Sequence, residues 1–186
     1  MEDRIEIVAV ELCPHSPRWA QMAAAEGTRL KHALGDVLVS VHHIGSTAIP
    51  GIMAKPIVDM MPLVSDLARL DAHEDAVRAL GYKWHGEFGL PGRRYCARSD
   101  PSSGKRLFQL HFYRTGDPQI ARHIAFRDYL RAHPALAREY EAEKIRAAAI
   151  VSSDVNAYND EKNDWIKRVE KDALAWTMAN PAPQAP

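Results

Sequence analysis

The sequence predicts an α+β protein, a mixed β-sheet with flanking helices followed by a C-terminal section of three helices. Three observations predict it. Strand-like and helix-like patterns interleave as far as about residue 116, after which only helical patterning follows, to about Met178. The segment Ile57–Val64 is apolar on both faces except at Asp59, as a central strand is. Cap and turn residues (Gly35, Gly45, Gly81, Asp117-Pro118, Pro134) stand at the junctions.

The elements follow in order. Ile5 to Leu12 alternates as a strand does, and Ser16-Pro17 then reads as an N-cap followed by proline at the first helical position. That helix runs to about Leu34, with Trp19, Met22, Leu30 and Leu34 toward the core and Gly35 as its stop. Val37 to Ile44 is a second strand that breaks at Gly45-Ser46, and Ile57 to Val64 a third. Pro62 lacks a ladder donor, so regular pairing is expected to end or bulge there. An amphipathic helix from Asp66 to Leu80 ends at Gly81, and strands follow around 82–85, 93–98 and 107–113. In the last of these Phe108, Leu110 and Phe112 share one face, while Gln109, His111 and Tyr113 share the other. Asp117 caps a helix to about Ala132, Pro134 opens one to about Ile150, and Ser152-Ser153-Asp154 opens a third. The expected organisation is one domain over residues 1–179, with a sheet core at 5–116, a helical section at 117–179 and a disordered tail at 180–186.

Composition narrows the function classes. With 46% hydrophobic and 26% charged residues the chain is neither disordered nor fibrous. Lys+Arg and Asp+Glu both number 24, a balance that speaks against a general nucleic-acid binder driven by counterion release. Two cysteines, Cys13 and Cys96, are too few for a disulfide scaffold or a cysteine-built zinc site. The N-terminus is acidic where a signal peptide is basic, and no apolar run approaches a membrane span, so the expected location is cytoplasmic. Residues 81–116 nevertheless hold seven Lys/Arg against only Glu87 and Asp100. That excess suits a confined anionic ligand, or equally a solvated arginine-rich hairpin.

The most specific stretch is His43-Ile44-Gly45-Ser46-Thr47-Ala48-Ile49-Pro50-Gly51, followed by Lys55-Pro56-Ile57-Val58-Asp59. A strand running into Gly-Ser and a tight turn lets backbone N–H groups and a hydroxyl approach a phosphate. Asp59, the polar position of an apolar strand, has to be hydrogen-bonded, ion-paired or metal-bound. A phosphate clasp facing a metal-ligand acid suits phosphoryl or nucleotidyl transfer; the structural alternative is an Asp that caps a neighbouring loop. His43 is placed to buttress the Gly-Ser turn.

This stretch, HHIGSTAIPGIMAKPIVDM, resembles the signature of the GrpB family. Arg93-Arg94-Tyr95, Leu110-His111-Phe112, the run Phe126 to Pro134, Tyr140, Lys144, Tyr158 and Lys162 agree with it in order. The resemblance implies a nucleotidyltransferase-like fold with the Gly-Ser turn beside the acidic strand. It implies little about the reaction, since members are mostly of unassigned function and some are fused to dephospho-coenzyme A kinase. Gly45 and Ser46 match the Gly-Ser turn, with Thr47 beside them, and Asp59 matches the first acid of an Asp-x-Asp/Glu pair. The second acid belongs at Met61, and a thioether does not replace a carboxylate for Mg²⁺. His111 is the nearest candidate for a third group, as a general base or, with Asp59, as ligand to a divalent metal; a plain hydrogen-bonded histidine is the alternative.

Basic residues complete the expectation. Lys55 precedes the acidic strand, Arg94 lies in the basic hairpin region, and Arg127 falls on the helix face of Ile120 and Ile124. Lys162 sits between Tyr158 and Trp165 on an aromatic stripe. Singly, Lys162 reads as a snorkelling cation and Arg127 as an ion-pair partner of Asp128. Together with Lys144 they outline a cationic pocket between the sheet and the C-terminal helices. Two functions follow. One is a nucleotidyltransferase-like enzyme on a small phosphorylated or anionic substrate, with Ser46, Asp59 and His111 at the chemistry and Mg²⁺ or Mn²⁺ on Asp59. The other is a catalytically silent module that binds an anion or nucleotide through the same fold.

Overall fold

The computed structural model describes residues 10–151 and 154–180. The strand expected from Ile5 as far as residue 9, the Ser152-Ser153 pair and the tail from residue 181 lie outside the described residues. Residues 10–12 are not in a strand; instead Cys13 and Ala54 exchange an isolated antiparallel bridge at 2.8 and 2.9 Å.

Helix α1 spans Arg18–Leu34, with its cap at Pro17 rather than Ser16 and its end at Gly35 (φ 56°). Its apolar face buries Trp19, Ala23, Leu30 and Leu34. The same face carries one carboxylate, Glu26, 3% exposed. Burying it is tolerated because Arg98 Nη2 donates to it at 2.6 Å, Arg29 Nη1 at 2.8 Å and the Tyr82 hydroxyl at 3.0 Å.

Strands β1 (Leu38–Ile44), β2 (Val58–Val64), β3 (Lys83–Trp84), β4 (Arg93–Ser99) and β5 (Arg106–Arg114) form one mixed sheet in the order β1-β2-β5-β4-β3. β5 is the middle strand and β2 an interior one, antiparallel to β1 and parallel to β5. Pro62 does not end it. Pro62 pairs with Val41, the ladder to β5 skips Met61 and Pro62, and it resumes at Leu63 and Tyr113 in unchanged register. The missing N–H costs rungs on one side only.

The single helix expected over 66–80 is two short ones, α2 (Leu67–Asp71) and α3 (Glu74–Ala79). Asp66 caps the first by accepting from Arg69 N at 3.0 Å. The break comes at His73, whose N–H reaches back only to Leu70 O at 2.8 Å while its Nδ1 lies 2.8 Å from Arg69 O. Helices α4 (Pro118–Ala132), α5 (Pro134–Ile150) and α6 (Val155–Ala179) start where their cap residues stand, Asp117 accepting from Gln119 N at 2.8 Å.

The pleat sorts the sheet into two faces. Val58, Met60, Cys96, Phe108, Leu110 and Phe112 pack against α1 in the larger core. On the opposite face Ile44, Met61, Leu63 and Tyr113 meet Ile120 and Ile124 of α4. A third cluster joins Ile49 and Ile52 of the β1–β2 connection to Leu130, Tyr140, Trp165 and Val169 of the helical section. No helix among the described residues is long and apolar enough to cross a membrane.

Candidate functional site

The site lies on the sheet face turned toward α4–α6, where Asp59 pairs with Ile44 on one side and Gln109 on the other. β1 ends at Ile44, and Gly45 turns the chain with φ 69° and ψ −171°, a region essentially reserved for glycine. The turn is then drawn tight by Ala48 N on Gly45 O at 3.2 Å and Ile49 N on Ser46 O at 3.1 Å. A Cβ on Gly45 would stand 2.6 Å from Asp59 Oδ2, so the backbone of the turn rests directly on the carboxylate. Ser46 Oγ donates to the Tyr140 hydroxyl at 3.3 Å, which ties the turn to α5. Thr47 is 2% exposed and its hydroxyl lies 2.9 Å from His43 Nε2. It serves the turn. Burial brings the His43 imidazole down to about 4, so this buttress is neutral at physiological pH.

His111 joins Asp59 from β5, its Nε2 3.7 Å from Asp59 Oδ1. Tyr95, opposite His111 on β4, has its ring centre 5.4 Å away and tilted by 57°, and its hydroxyl accepts from Arg106 Nη1 at 3.3 Å. Arg106 Nε is buried with no hydrogen-bond partner among the described residues. Neither Tyr95 nor Arg106 stood out in the sequence as a site residue. The signal was available, because alternation places Tyr95 and Arg93, and not Arg94, on the face of His111.

The helical section contributes cations. Lys162 Nζ lies 3.9 Å from the centre of the Tyr158 ring, and Lys55 Nζ lies 5.2 Å from the same ring. Lys162 is 6% exposed, so it does not snorkel, and its hydrogen bond is to Asn159 Oδ1 at 3.3 Å. Among the described residues neither lysine makes an ion pair within 4.0 Å. Burial, and then Lys55 and Lys144, bring the Lys162 ammonium down to about 7, with Asp59 opposing. Lys55 is also lowered by burial, against Asp59, which raises it.

Other expected contacts are committed elsewhere. Arg94 pairs with Phe112 across β4–β5 and so points to the α1 face, where both carboxylate oxygens of Asp71 hold it at 2.6 and 2.7 Å. It is a structural ion pair away from Asp59. Arg127 grips Asp128 at 2.7 and 3.0 Å and donates to His43 O at 3.1 Å, closing the end of β1. Lys144, 1% exposed, donates to Met53 O and lies 4.7 Å from the Tyr140 ring centre. It pins the β1–β2 connection behind the site.

The residues do not fit a two-metal centre. Met61 is fully buried among Ile44, Leu63 and Tyr113, so the place of a second acid is filled by core. Among the described residues no three His, Cys, Asp or Glu side chains are grouped to hold a metal ion. Asp59 and His111 offer one carboxylate and one imidazole. A groove of about 560 Å³ between α1 and β1, lined by Ala23, Gly27, Val39, Val41, His43 and Met60 among others, lies on the α1 side of the sheet and meets the turn's buttress at His43.

The GrpB protein family model matches residues 9–172, and the chain belongs to that family. It is similar to the UPF0157 protein YqkA of Bacillus subtilis, 40% identical over 167 residues, 90% of this chain but 48% of that protein. The chain thus spans about half the length of that relative. The crystal structure of the conserved protein GrpB from Enterococcus faecalis superposes with a TM-score of 0.84 at 36% identity, covering 90% of this chain and 99% of that one. A structure of the Cid1 poly(U) polymerase bound to MgATP matches with a TM-score of 0.50 at 14% identity, over 70% of this chain and 45% of that one, a likeness of fold. The fold is a nucleotidyltransferase-like α+β one.

Proposed function

We propose that this GrpB-family chain is a binding module for a small phosphorylated ligand, held between the Gly45–Ser46 turn and the cations Lys55, Lys162 and Arg106. One observation carries the reading. Lys55 and Lys162 bear on a single buried aromatic ring, and among the described residues no carboxylate pairs with either. Holding one buried and one half-buried ammonium there is costly, and a bound phosphate would offset that cost while giving Arg106 Nε the acceptor it lacks among the described residues. Asp59 would face this ligand from beside the turn, with His111 Nε2 3.7 Å from its Oδ1. Transfer through two metals is not part of this reading, because Met61 belongs to the core.

The Asp59–His111 pair favours a second reading, in which Asp59 holds one divalent ion and His111 acts as general base on a ligand hydroxyl. Calorimetric binding of ATP, with Mg²⁺ and with a chelator, separates the two. The module reading expects binding without metal, weakened at least about tenfold in Lys162→Gln and not weakened in Asp59→Asn, where a phosphate-repelling charge is gone. Binding that needs both Mg²⁺ and Asp59 supports the enzyme reading instead. No binding to wild type under either condition overturns both.

A further inference from the structure

The connection from β3 to β4 reads His85-Gly86-Glu87-Phe88-Gly89-Leu90-Pro91-Gly92, and the His85 ring lies 5.4 Å from Phe88 and 5.6 Å from Tyr95. Gly86, Phe88, Gly89 and Gly92 all have positive φ, and Phe88, at 46°, is alone in this among the described non-glycine residues. An L side chain crowds its own carbonyl there, so the conformation persists only where surroundings impose it. They do so here. Arg93, 7% exposed, donates from Nη2 to Phe88 O at 2.7 Å and to Glu87 O at 3.3 Å. Gly92 N donates to Glu87 Oε1 at 2.8 Å, and Tyr95 N donates to Gly86 O at 2.8 Å.

What this strained, pinned loop achieves is not burial. The Phe88 ring lies nearly parallel to Tyr95, 4.9 Å between centres and 16° between planes, yet Phe88 stays 45% exposed. Leu90, in the same loop, is 44% exposed. The rings lead inward from there, Tyr95 to His111 at 5.4 Å and His111 to Asp59 at 3.7 Å. Arg106, on the Tyr95 hydroxyl, is near enough to Lys55 for its charge to lower that ammonium.

We propose that Phe88, backed by Tyr95, is the stacking platform for a planar heterocycle of the ligand, which makes that ligand a nucleotide and not a simple polyphosphate or sugar phosphate. The inference rests on the phosphate-binding reading above and names the other end of the same ligand. Stacking suits the place, because a base offers a π-face whatever its edge, and an aromatic ring held still by its neighbours loses little freedom on contact.

The experiment compares ATP with inorganic tripolyphosphate on wild type, Phe88→Ala, Phe88→Leu and Phe88→Trp. Wild type is expected to bind ATP at least about tenfold more tightly than tripolyphosphate. Phe88→Ala loses that margin on ATP while its tripolyphosphate affinity changes less than about twofold. Phe88→Leu keeps apolar bulk without an aromatic face and loses the margin too, which covers an alanine variant that fails to fold. Phe88→Trp keeps the margin, and its fluorescence responds to ATP but not to tripolyphosphate. Equal affinity of wild type for both, or loss of both ligands in parallel in the Ala and Leu variants, overturns the platform and leaves phosphate binding standing. Binding of neither ligand by wild type overturns the phosphate reading, and the platform with it.

Discussion

Gly45 and Asp59 touch across the β1–β2 pair, and the contact is possible only because Gly45 has no side chain: a Cβ there would lie 2.6 Å from Asp59 Oδ2 and 3.0 Å from Asp59 Cβ. Gly45→Ala therefore meets both a glycine-only backbone conformation and a steric block. We expect it to lower stability by at least ~2 kcal/mol in urea denaturation. Combined with Asp59→Ala, the loss should be less than the sum of the two singles, because the carboxylate is part of the obstacle. Additive losses would show that Gly45 serves the backbone alone.

Met61 stands where a second acid would complete a metal pair, and it is fully buried beside Ile44, Leu63 and Tyr113. Met61→Asp is expected to destabilise the chain by about 3 kcal/mol or more, through an unpaired buried carboxylate. Met61→Leu should cost less than about 1.5 kcal/mol, being nearly volume-conserving. A Met61→Asp protein of wild-type stability that gained Mg²⁺ binding would show the position to be a vacated metal site and not core.

Glu26 is the hub of a buried network that joins α1 to β4 and to Tyr82 before β3. Burial, and then the Glu26 charge, push the Tyr82 hydroxyl well above its usual range. Glu26→Gln leaves the half-buried Arg98 against a neutral amide. We expect a loss of about 3–5 kcal/mol, read by thermal or chemical denaturation. Glu26→Gln with a loss under about 1 kcal/mol would mean that Arg98 finds water in its place.

Lys162 gives the pocket a pH dependence. Its folded-state value is depressed, from 10.5 to about 7, so between those pH values the unfolded chain binds the extra proton. Stability should accordingly rise with pH across that window, by at most about 1.4 kcal/mol per unit from this group. Lys162→Met is expected to be more stable than wild type at pH 6, with an advantage that shrinks as pH climbs above 7. Phosphate affinity moves the other way, falling above about pH 7 as the free lysine loses its charge. A pH-independent stability difference between the two proteins would show that Lys162 keeps its charge in the folded chain as it does in the unfolded one.

Much of the fold is legible in the chain because it is written in local chemistry. Asp117-Pro118 and Pro134 mark the starts of α4 and α5 to the residue, since capping depends on neighbours in sequence. Alternation alone separates Phe108, Leu110 and Phe112 from Gln109 and His111. The one helix expected over 66–80 is two, because the bonding at His73 that divides it carries no strong breaker residue.

By itself, then, the sequence determined the elements, their α+β order and the meeting of the Gly45 turn with Asp59, all governed by residues close along the chain or on adjoining strands. Only the tertiary structure decided which cations belong to the site. Arg94 goes to Asp71 and Arg127 to Asp128 and the His43 carbonyl, while Lys162 shares the Tyr158 ring with Lys55 from more than a hundred residues away. Long charged side chains carry no local signal of their direction. The rotation of each helix and the pleat of each strand set it, and both are fixed when the two faces of the sheet are packed.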